Sequence, residues 1–211
     1  EVQTAGRGRL GRAWQSPTGN LYTTALMAWP HGLETALRLP FAAALAVSDA
    51  IEAVCAGATT QLKWPNDVRV AGQKLAGILI ESGEGPKGRW VSVGIGINIV
   101  AVPDGVDQAA IALADLPGGE TAAADHVFSA LRAAFSMRFV EALEDFSRTR
   151  TAWLNRAEGL GQTLRASAAG GPVEGVFSGL GEDGALLLEL PDGTEARINA
   201  GEVSLVKDLK D

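Results

Sequence analysis

The spacing of apolar and polar residues divides the chain into stretches of different period. "NLYTTALMAW" (Asn20–Trp29) is partly β-branched and aromatic and is stopped by Pro30, which predicts a strand. Thr35 to Ala56 is rich in Ala and Leu, with Gly57 as a C-cap signal, and predicts a buried helix. Gln61–Trp64 predicts a short strand, closed by the turn chemistry of Pro65-Asn66-Asp67. "VRVAGQKLAGILIES" predicts a hairpin: Val68–Val70, a turn at Ala71-Gly72-Gln73, then Lys74–Glu81. Arg89–Val100 is a further strand. Ala122 to Leu143 predicts a long helix with an apolar stripe at Val127, Leu131, Ala134, Phe135 and Phe139, and a second helix covers Asp145–Arg156. After Gly159-Leu160-Gly161 the pattern changes to short strands between Gly-rich and Asp-rich turns. This predicts a separate all-β module of about fifty residues, such as a small SH3-like barrel. No internal repeat or low-complexity tract interrupts the pattern.

Composition narrows the class. The chain has 211 residues, 46% hydrophobic and 20% charged, enough for one sizeable core and a small second domain. The apolar run from Leu39 is broken by Ser48, Asp49 and Glu52, which makes it a core helix rather than a membrane span. The opening Glu-Val-Gln-Thr does not read as a signal peptide. Cys55 is the single cysteine, so no disulfide framework exists and a reducing cytoplasm is the expected setting. The two histidines, His31 and His126, have no metal-ligand spacing, which argues against a zinc site and against a His-based triad. The net charge of −7 hides an asymmetry: residues 1–80 carry +2 and residues 81–211 carry −9. The cations of the first part cluster in "GRGRLGR" and at Lys63 and Lys74.

Four stretches are candidates for chemistry. In "QTAGRGRLGRAW", Gly6-x-Gly8-x-x-Gly11 matches a dinucleotide fingerprint and nearly matches a P-loop. Both need a helix to follow, but Pro17 and Gly19 break "RAWQSPTGNLY", and Arg12-Ala13 replaces the P-loop Lys-Ser/Thr. What remains is a Gly/Arg loop between strands whose fixed cations can close over an anion. "LKWPNDV" puts Lys63 and Trp64 on opposite faces of a strand end, as a hairpin corner also would. "KLAGILIE" opens on Lys74, either snorkelling at the core edge or positioned at a pocket mouth, on the face of Ala76, Ile78 and Ile80. "VSVGIGINI" places Gly94, Gly96 and Asn98 on one face and Val93, Ile95, Ile97 and Ile99 on the other. The two glycines indicate close approach of another backbone or a flat ligand, with Asn98 offering donor and acceptor beside them, unless that face packs on the long helix.

Together and in this order, "GRGRLGRAW", "KWPND", "KLAGILIE" and "GIGIN" resemble the catalytic domain of biotin–protein ligases. The resemblance runs from Glu1 through the C-terminal module and looks like the short form of the family, without a DNA-binding winged helix. It implies an α+β fold: residues 1–158 as a mixed sheet with helices packed on it, of the class II synthetase type, and residues 159–211 as the SH3-like domain. It implies two steps, in which biotin and Mg-ATP give biotinyl-5′-AMP and diphosphate, and the lysine of a biotin carboxyl carrier protein then displaces AMP. No covalent enzyme intermediate is implied. Lys74 would be the central catalytic cation, with Arg9 near the carboxylate and phosphate. Gln3 would bond the ureido ring, while Gly6, Arg7, Gly8 and Gly94 would enclose biotin. Trp14 would lie against adenine and Asn98 would read its edge; Arg12, Lys63, Asn66 and Asp67 would serve the triphosphate and magnesium. Homodimerisation occurs in the family. Two departures stand out: the Ser-Thr-Asn segment expected before the Arg loop is absent, so the resemblance implies a missing domain start, and Leu10 stands where some relatives carry another basic residue. Rival readings are a lipoate or octanoate ligase of the same fold, a nucleic-acid binder, and a biotin sensor without transfer. The net charge and the 6% aromatic content disfavour nucleic acid.

Overall fold

The computed structural model describes residues 3–103, 108–168 and 171–206. Its first sheet is built from β1 (Leu21–Ala28), β2 (Thr60–Lys63), β3 (Asp67–Val70), β4 (Gln73–Gly85) and β5 (Gly88–Ile97), ordered β1-β5-β4-β3-β2. Every pairing between these strands is antiparallel. The expected mixed sheet is thus corrected: parallel pairing is confined to isolated bridges, Leu62 with Ala157 and Lys74 with Ala110. The β3–β4 turn has two residues rather than three, Ala71 (φ 49°) and Gly72 (φ 75°), as the right-handed twist of a tight hairpin demands.

The helix expected over Thr35–Ala56 is two, α1 (Leu33–Ala36) and α2 (Leu39–Val54). Pro40 explains the break, because proline lacks the N–H a helix interior needs but is tolerated in a first turn. Nor does Gly57 cap α2: Cys55 does, and Gly57 instead admits Pro117, whose carbonyl oxygen would lie 2.9 Å from a Cβ there. α2 is apolar nearly all round, burying Phe41, Leu45, Val47 and Ile51 among others, because it is sandwiched. One side meets β5 through Val91, Val93 and Ile97; the other meets α3 (Ala124–Glu144), whose Val127, Leu131 and Ala134 are buried as the stripe predicted. α4 (Phe146–Leu154) follows, its first turn capped by the Asp145 carboxylate accepting from Ser147 N at 3.1 Å. Among the described residues, no helix is long and apolar enough to cross a membrane.

The second unit is an antiparallel sheet of β6 (Thr163–Ala168), β7 (Gly171–Leu180), β8 (Leu186–Glu189), β9 (Glu195–Ile198) and β10 (Glu202–Leu205), ordered β10-β6-β7-β8-β9. Its contacts with the first unit include three around Leu180 and Gly184. Trp64 Nε1 donates to Gly184 O at 3.1 Å, Arg150 donates to Leu180 O at 2.7 Å, and Gly184 lies against the Phe41 ring. This places β10 beside the uncovered face of the first sheet.

Candidate active site

With helices on one face of the first sheet, the other face is left open, and there lies a cavity of about 970 Å³. It is floored by β1, β4 and β5, roofed by the Gly/Arg loop and walled at one side by β10. All thirteen residues singled out from the sequence line it, so motifs spread over almost a hundred positions form a single site.

The loop is a small hairpin. Trp14 N donates to Gly6 O at 2.9 Å and Gly8 N to Arg12 O at 2.7 Å, and a 3-10 turn at Arg9–Gly11 closes the tip. Leu10 there is left-handed (φ 57°) and 80% exposed, so this tip residue is held in a costly conformation with no packing in return. Arg9 donates to Asn66 Oδ1 at 3.2 Å and to Gly201 O at 3.1 Å, which ties the loop both to the β2–β3 corner and to the second unit. Burial holds the Arg9 pKa below the usual arginine value; Glu202 and Asp67 oppose this and Arg12 adds to it. Arg12 pairs with Glu202 of β10.

Lys74 is aimed by a bulge. Val68 faces Ala76 and Arg69 faces Lys74, so Leu75 is an extra residue on β4. Strict alternation would put Lys74 on the face of Ala76, Ile78 and Ile80. The bulge instead turns it to the side of Gly77 and Leu79, while Leu75 and Ala76 are buried at 0% and 1% exposure. Lys74 Nζ then sits 2.7 Å from Asp67 Oδ1 and 5.5 Å from the centre of the Trp14 ring. That indole occupies the bare strip of sheet: a Cβ on Gly96 would come within 2.5 Å of it, and one on Gly77 within 3.0 Å. The close approach read from Gly96 is therefore made by this chain's own Trp14, whereas Gly94 faces Leu79 and Thr24 at ordinary contact distance.

The other expected residues fall around this centre. Asn66 Nδ2 donates to Ile78 O at 2.8 Å. Asn98, just past β5 and 4% exposed, gives Nδ2 to Ile111 O at 3.3 Å and Lys74 O at 3.5 Å, which anchors it as part of the wall. Lys63 projects into the cavity while its neighbour Trp64 is buried beneath the β8 side of the second unit. Burial above all, and then Arg69, pushes the Lys63 pKa down, against Asp67 and Glu158. Gln3 Oε1 accepts from Ser16 at 2.8 Å and lies beside Gly6 in the lining of the cavity.

Sequence reasoning did not foresee Glu202, Gly201 and Ser204, which reach the site from β10, nor Thr24, Tyr22 and Ser92 on the floor. Alternation along β1 and β5 could have found the floor residues; no local signal marks the β10 group. The charged lining is five cations (Arg7, Arg9, Arg12, Lys63, Lys74) against three carboxylates (Asp67, Glu81, Glu202). In a chain of net charge −7, that surplus marks the cavity for an anionic ligand. The polar end around Lys74 suits phosphate or carboxylate oxygens; the end around Leu79, Ile95 and Gly94 suits an apolar body. Among the described residues, no group of three His, Cys, Asp or Glu side chains could hold a metal ion.

Comparisons with known proteins give the family. Residues 1–98 match the Biotin/lipoate A/B protein ligase family, and residues 159–206 match the Biotin protein ligase C terminal domain. The biotin–[acetyl-CoA-carboxylase] ligase of Paracoccus denitrificans is 39% identical over 95% of this chain and 86% of its own length. The bifunctional ligase/repressor BirA of Bacillus subtilis is 34% identical over 97% of this chain, which spans 64% of that protein. The Aquifex aeolicus biotin protein ligase, solved in complex with biotin and ATP, superimposes with a TM-score of 0.81 at 30% identity, over 97% of this chain and 85% of that one. A cation-rich cavity on an antiparallel sheet, roofed by an arginine loop and walled by a small β module, thus comes with a likeness that runs nearly the whole length of the chain: it belongs to the biotin protein ligase family.

Proposed function

We propose that the chain is an ATP-dependent ligase that activates biotin as biotinyl-5′-AMP and transfers it to a lysine of a biotin carboxyl carrier protein. The observation that carries this is Lys74, held at 2.7 Å by Asp67 above the Trp14 ring, in a cavity lined by other cations and by apolar residues. Two anions must meet for adenylation: a biotin carboxylate oxygen attacks the α-phosphorus and diphosphate leaves. A fixed ammonium at the meeting point offsets their repulsion and the charge that grows on the phosphate. No nucleophile of the protein is required, and among the described residues neither Cys nor His lines the cavity.

In this reading the biotin ring lies at the Gln3–Gly94 end, where Gln3 bonds the ureido group and Gly6, Arg7 and Gly8 close the loop over it. Arg9 and Lys74 stand at the carboxylate and α-phosphate. Arg12, Lys63, Asn66 and Asp67 serve the remaining phosphates, and the adenosine extends past Trp14 toward Asn98. Arg12 must trade its Glu202 partner for a phosphate, which costs little because both groups are half exposed. Mg2+ would be held by phosphate oxygens with Asp67 as the protein's carboxylate, and would neutralise the leaving diphosphate. In the second step the carrier lysine amine, having lost its proton, attacks the acyl carbonyl and AMP departs. The Paracoccus relative's name, a ligase acting on acetyl-CoA carboxylase, supports a carboxylase carrier as acceptor.

The test is ATP–diphosphate exchange with this chain, run with biotin, lipoate and octanoate. Exchange with biotin alone is expected. Exchange driven by lipoate or octanoate in preference to biotin would sink the reading.

A further inference from the structure

β5 ends at Ile97, and the chain then leaves the sheet through Asn98, Ile99, Val100 and Ala101. A departing strand loses its ladder partners, so its N–H groups need new ones. A single side chain supplies them here. Asn20, one residue before β1 and 8% exposed, accepts at Oδ1 from Ile99 N (2.9 Å), Val100 N (2.9 Å) and Ala101 N (3.2 Å). Its Nδ2 donates back to Ala101 O at 2.7 Å. Three consecutive N–H groups converging on one oxygen form a nest, a geometry usually filled by an anion, and here a neutral amide fills it. Gly19 lets the two segments meet: a Cβ there would lie 2.9 Å from Val100 Cγ2.

The stretch held this way runs directly into the cavity wall. Asn98 and Pro103 line the cavity on the outgoing side, and Gln108 and Ala110 line it where the chain returns. The return is pinned to the backbone of Lys74: Lys74 N donates to Ala109 O at 2.9 Å and Ile111 N to Lys74 O at 3.0 Å. The two arms are also joined to each other, by Leu113 N to Asn98 O at 3.0 Å and Ala114 N to Ile99 O at 2.8 Å. Asn20 is thus the only side chain among those described that fixes the Ile99–Ala101 backbone of the outgoing arm.

We propose that Asn20 is a positioning residue for the nucleotide: without touching the cavity, it sets the wall at Asn98 and Pro103 against which the adenosine end of ATP lies. This rests on the ligase reading above. It assigns Asn20 to the ATP side because the arm it fixes carries Asn98 and Pro103, whereas Tyr22 on the floor, which Asn20 also meets, is held independently by its hydroxyl donating to Pro17 O at 3.1 Å.

The experiment is steady-state biotin-dependent exchange by the full chain and by Asn20→Ala and Asn20→Asp, with KM for ATP and for biotin measured separately. Asn20→Ala removes the four hydrogen bonds to Ile99–Ala101, and KM for ATP is expected to rise about tenfold or more, with KM for biotin within about twofold of wild type. Asn20→Asp keeps an oxygen for the three N–H donors and is expected to recover most of the lost ATP affinity. An unchanged KM for ATP in Asn20→Ala overturns the inference. So does an equal rise in both KM values, which is what a merely structural role would give, and so does an Asp variant no better than Ala. A wild-type chain silent with biotin would overturn the ligase reading and this inference together, whereas an active wild type with an unshifted Ala variant overturns this inference alone.

Discussion

Gly96→Ala isolates the idea that the bare strip of the sheet exists for Trp14 and not directly for a ligand. The backbone of Gly96 is ordinary extended strand, so alanine adds no φ strain, and in open space the change would be neutral or mildly stabilising. The added methyl would stand 2.5 Å from Trp14 Cζ2 and 2.8 Å from Cε2, about 1 Å inside normal carbon contact. The indole cannot simply slide along the sheet, because Gly77 already meets it at 3.0 Å on the β4 side. Overpacking of this kind costs about 1–3 kcal/mol. Lifting the ring also disturbs the Lys74 ammonium 5.5 Å from its centre, a contact of about 0.5–1 kcal/mol. The assay is a double-mutant cycle with Trp14→Leu, reading the urea midpoint and biotin-dependent exchange for all four proteins. Because Trp14→Leu removes the atoms that clash, the double variant is expected to lose at least about 1 kcal/mol less than the sum of the singles. Additive losses would refute the reasoning. So would a Gly96→Ala protein of normal stability with a raised KM for biotin, since that would make the glycine a ligand contact.

Further outcomes follow from other contacts. Lys74→Met is expected to fold but to lose about 10²–10³-fold in biotin-dependent exchange, as removal of a preorganised charge contact does; near-normal exchange would take Lys74 out of the chemistry. Burial lowers the Lys63 pKa, so its ammonium is lost at a lower pH than an ordinary lysine's, and the charged form that would serve phosphate disappears early. Lys63→Arg stays charged, and the alkaline limb of its ATP affinity is expected to move to higher pH; superimposable limbs would contradict a cationic role. By linkage, the same lowered pKa makes the wild-type fold gain stability as pH rises through it, since the unfolded chain there binds the proton that the folded chain has shed. Trp64→Phe keeps the buried ring but strands the Gly184 carbonyl, at a cost of about 1–3 kcal/mol, to be read as a lower melting temperature.

What the sequence made legible was what local chemistry decides. The α3 stripe and the alternation of Gly94 and Gly96 with Val93, Ile95 and Ile97 depend on neighbours two to four positions away, and each has its place in the structure. The motifs converge because strands carrying them pair directly: Gly77 lies opposite both Asp67 and Gly96. Legibility failed where a single residue's register or a distant partner decides. The Leu75 bulge is invisible to alternation, since nothing in "QKLAG" announces that Arg69 will pair with Lys74 while Val68 pairs with Ala76. Glu202 meets Arg12 across 190 positions, a pairing that only the docking of the second unit creates. The α1–α2 break was a different failure, because Pro40 was there to be read and the strong Ala/Leu composition masked it.

Trp64 joins the two kinds of information. Lys63 closes β2 and Trp64 follows it, and both line the cavity. The consequence of this corner is not local, because the Trp64 indole also binds Gly184 in the second unit. That unit in turn presents Gly201 and Glu202 to Arg9 and Arg12 of the roof loop. The strand end that carries a phosphate-side lysine is therefore also the seat of the module that braces the arginines above it. A perturbation of the Trp64 contact should thus be felt twice, as lost stability and as a weakened ATP KM, even though Trp64 Nε1 bonds away from the cavity. A Trp64→Phe protein that loses stability while keeping its KM for ATP would show that the module braces the loop through its other contacts, Phe41 and Arg150 among them.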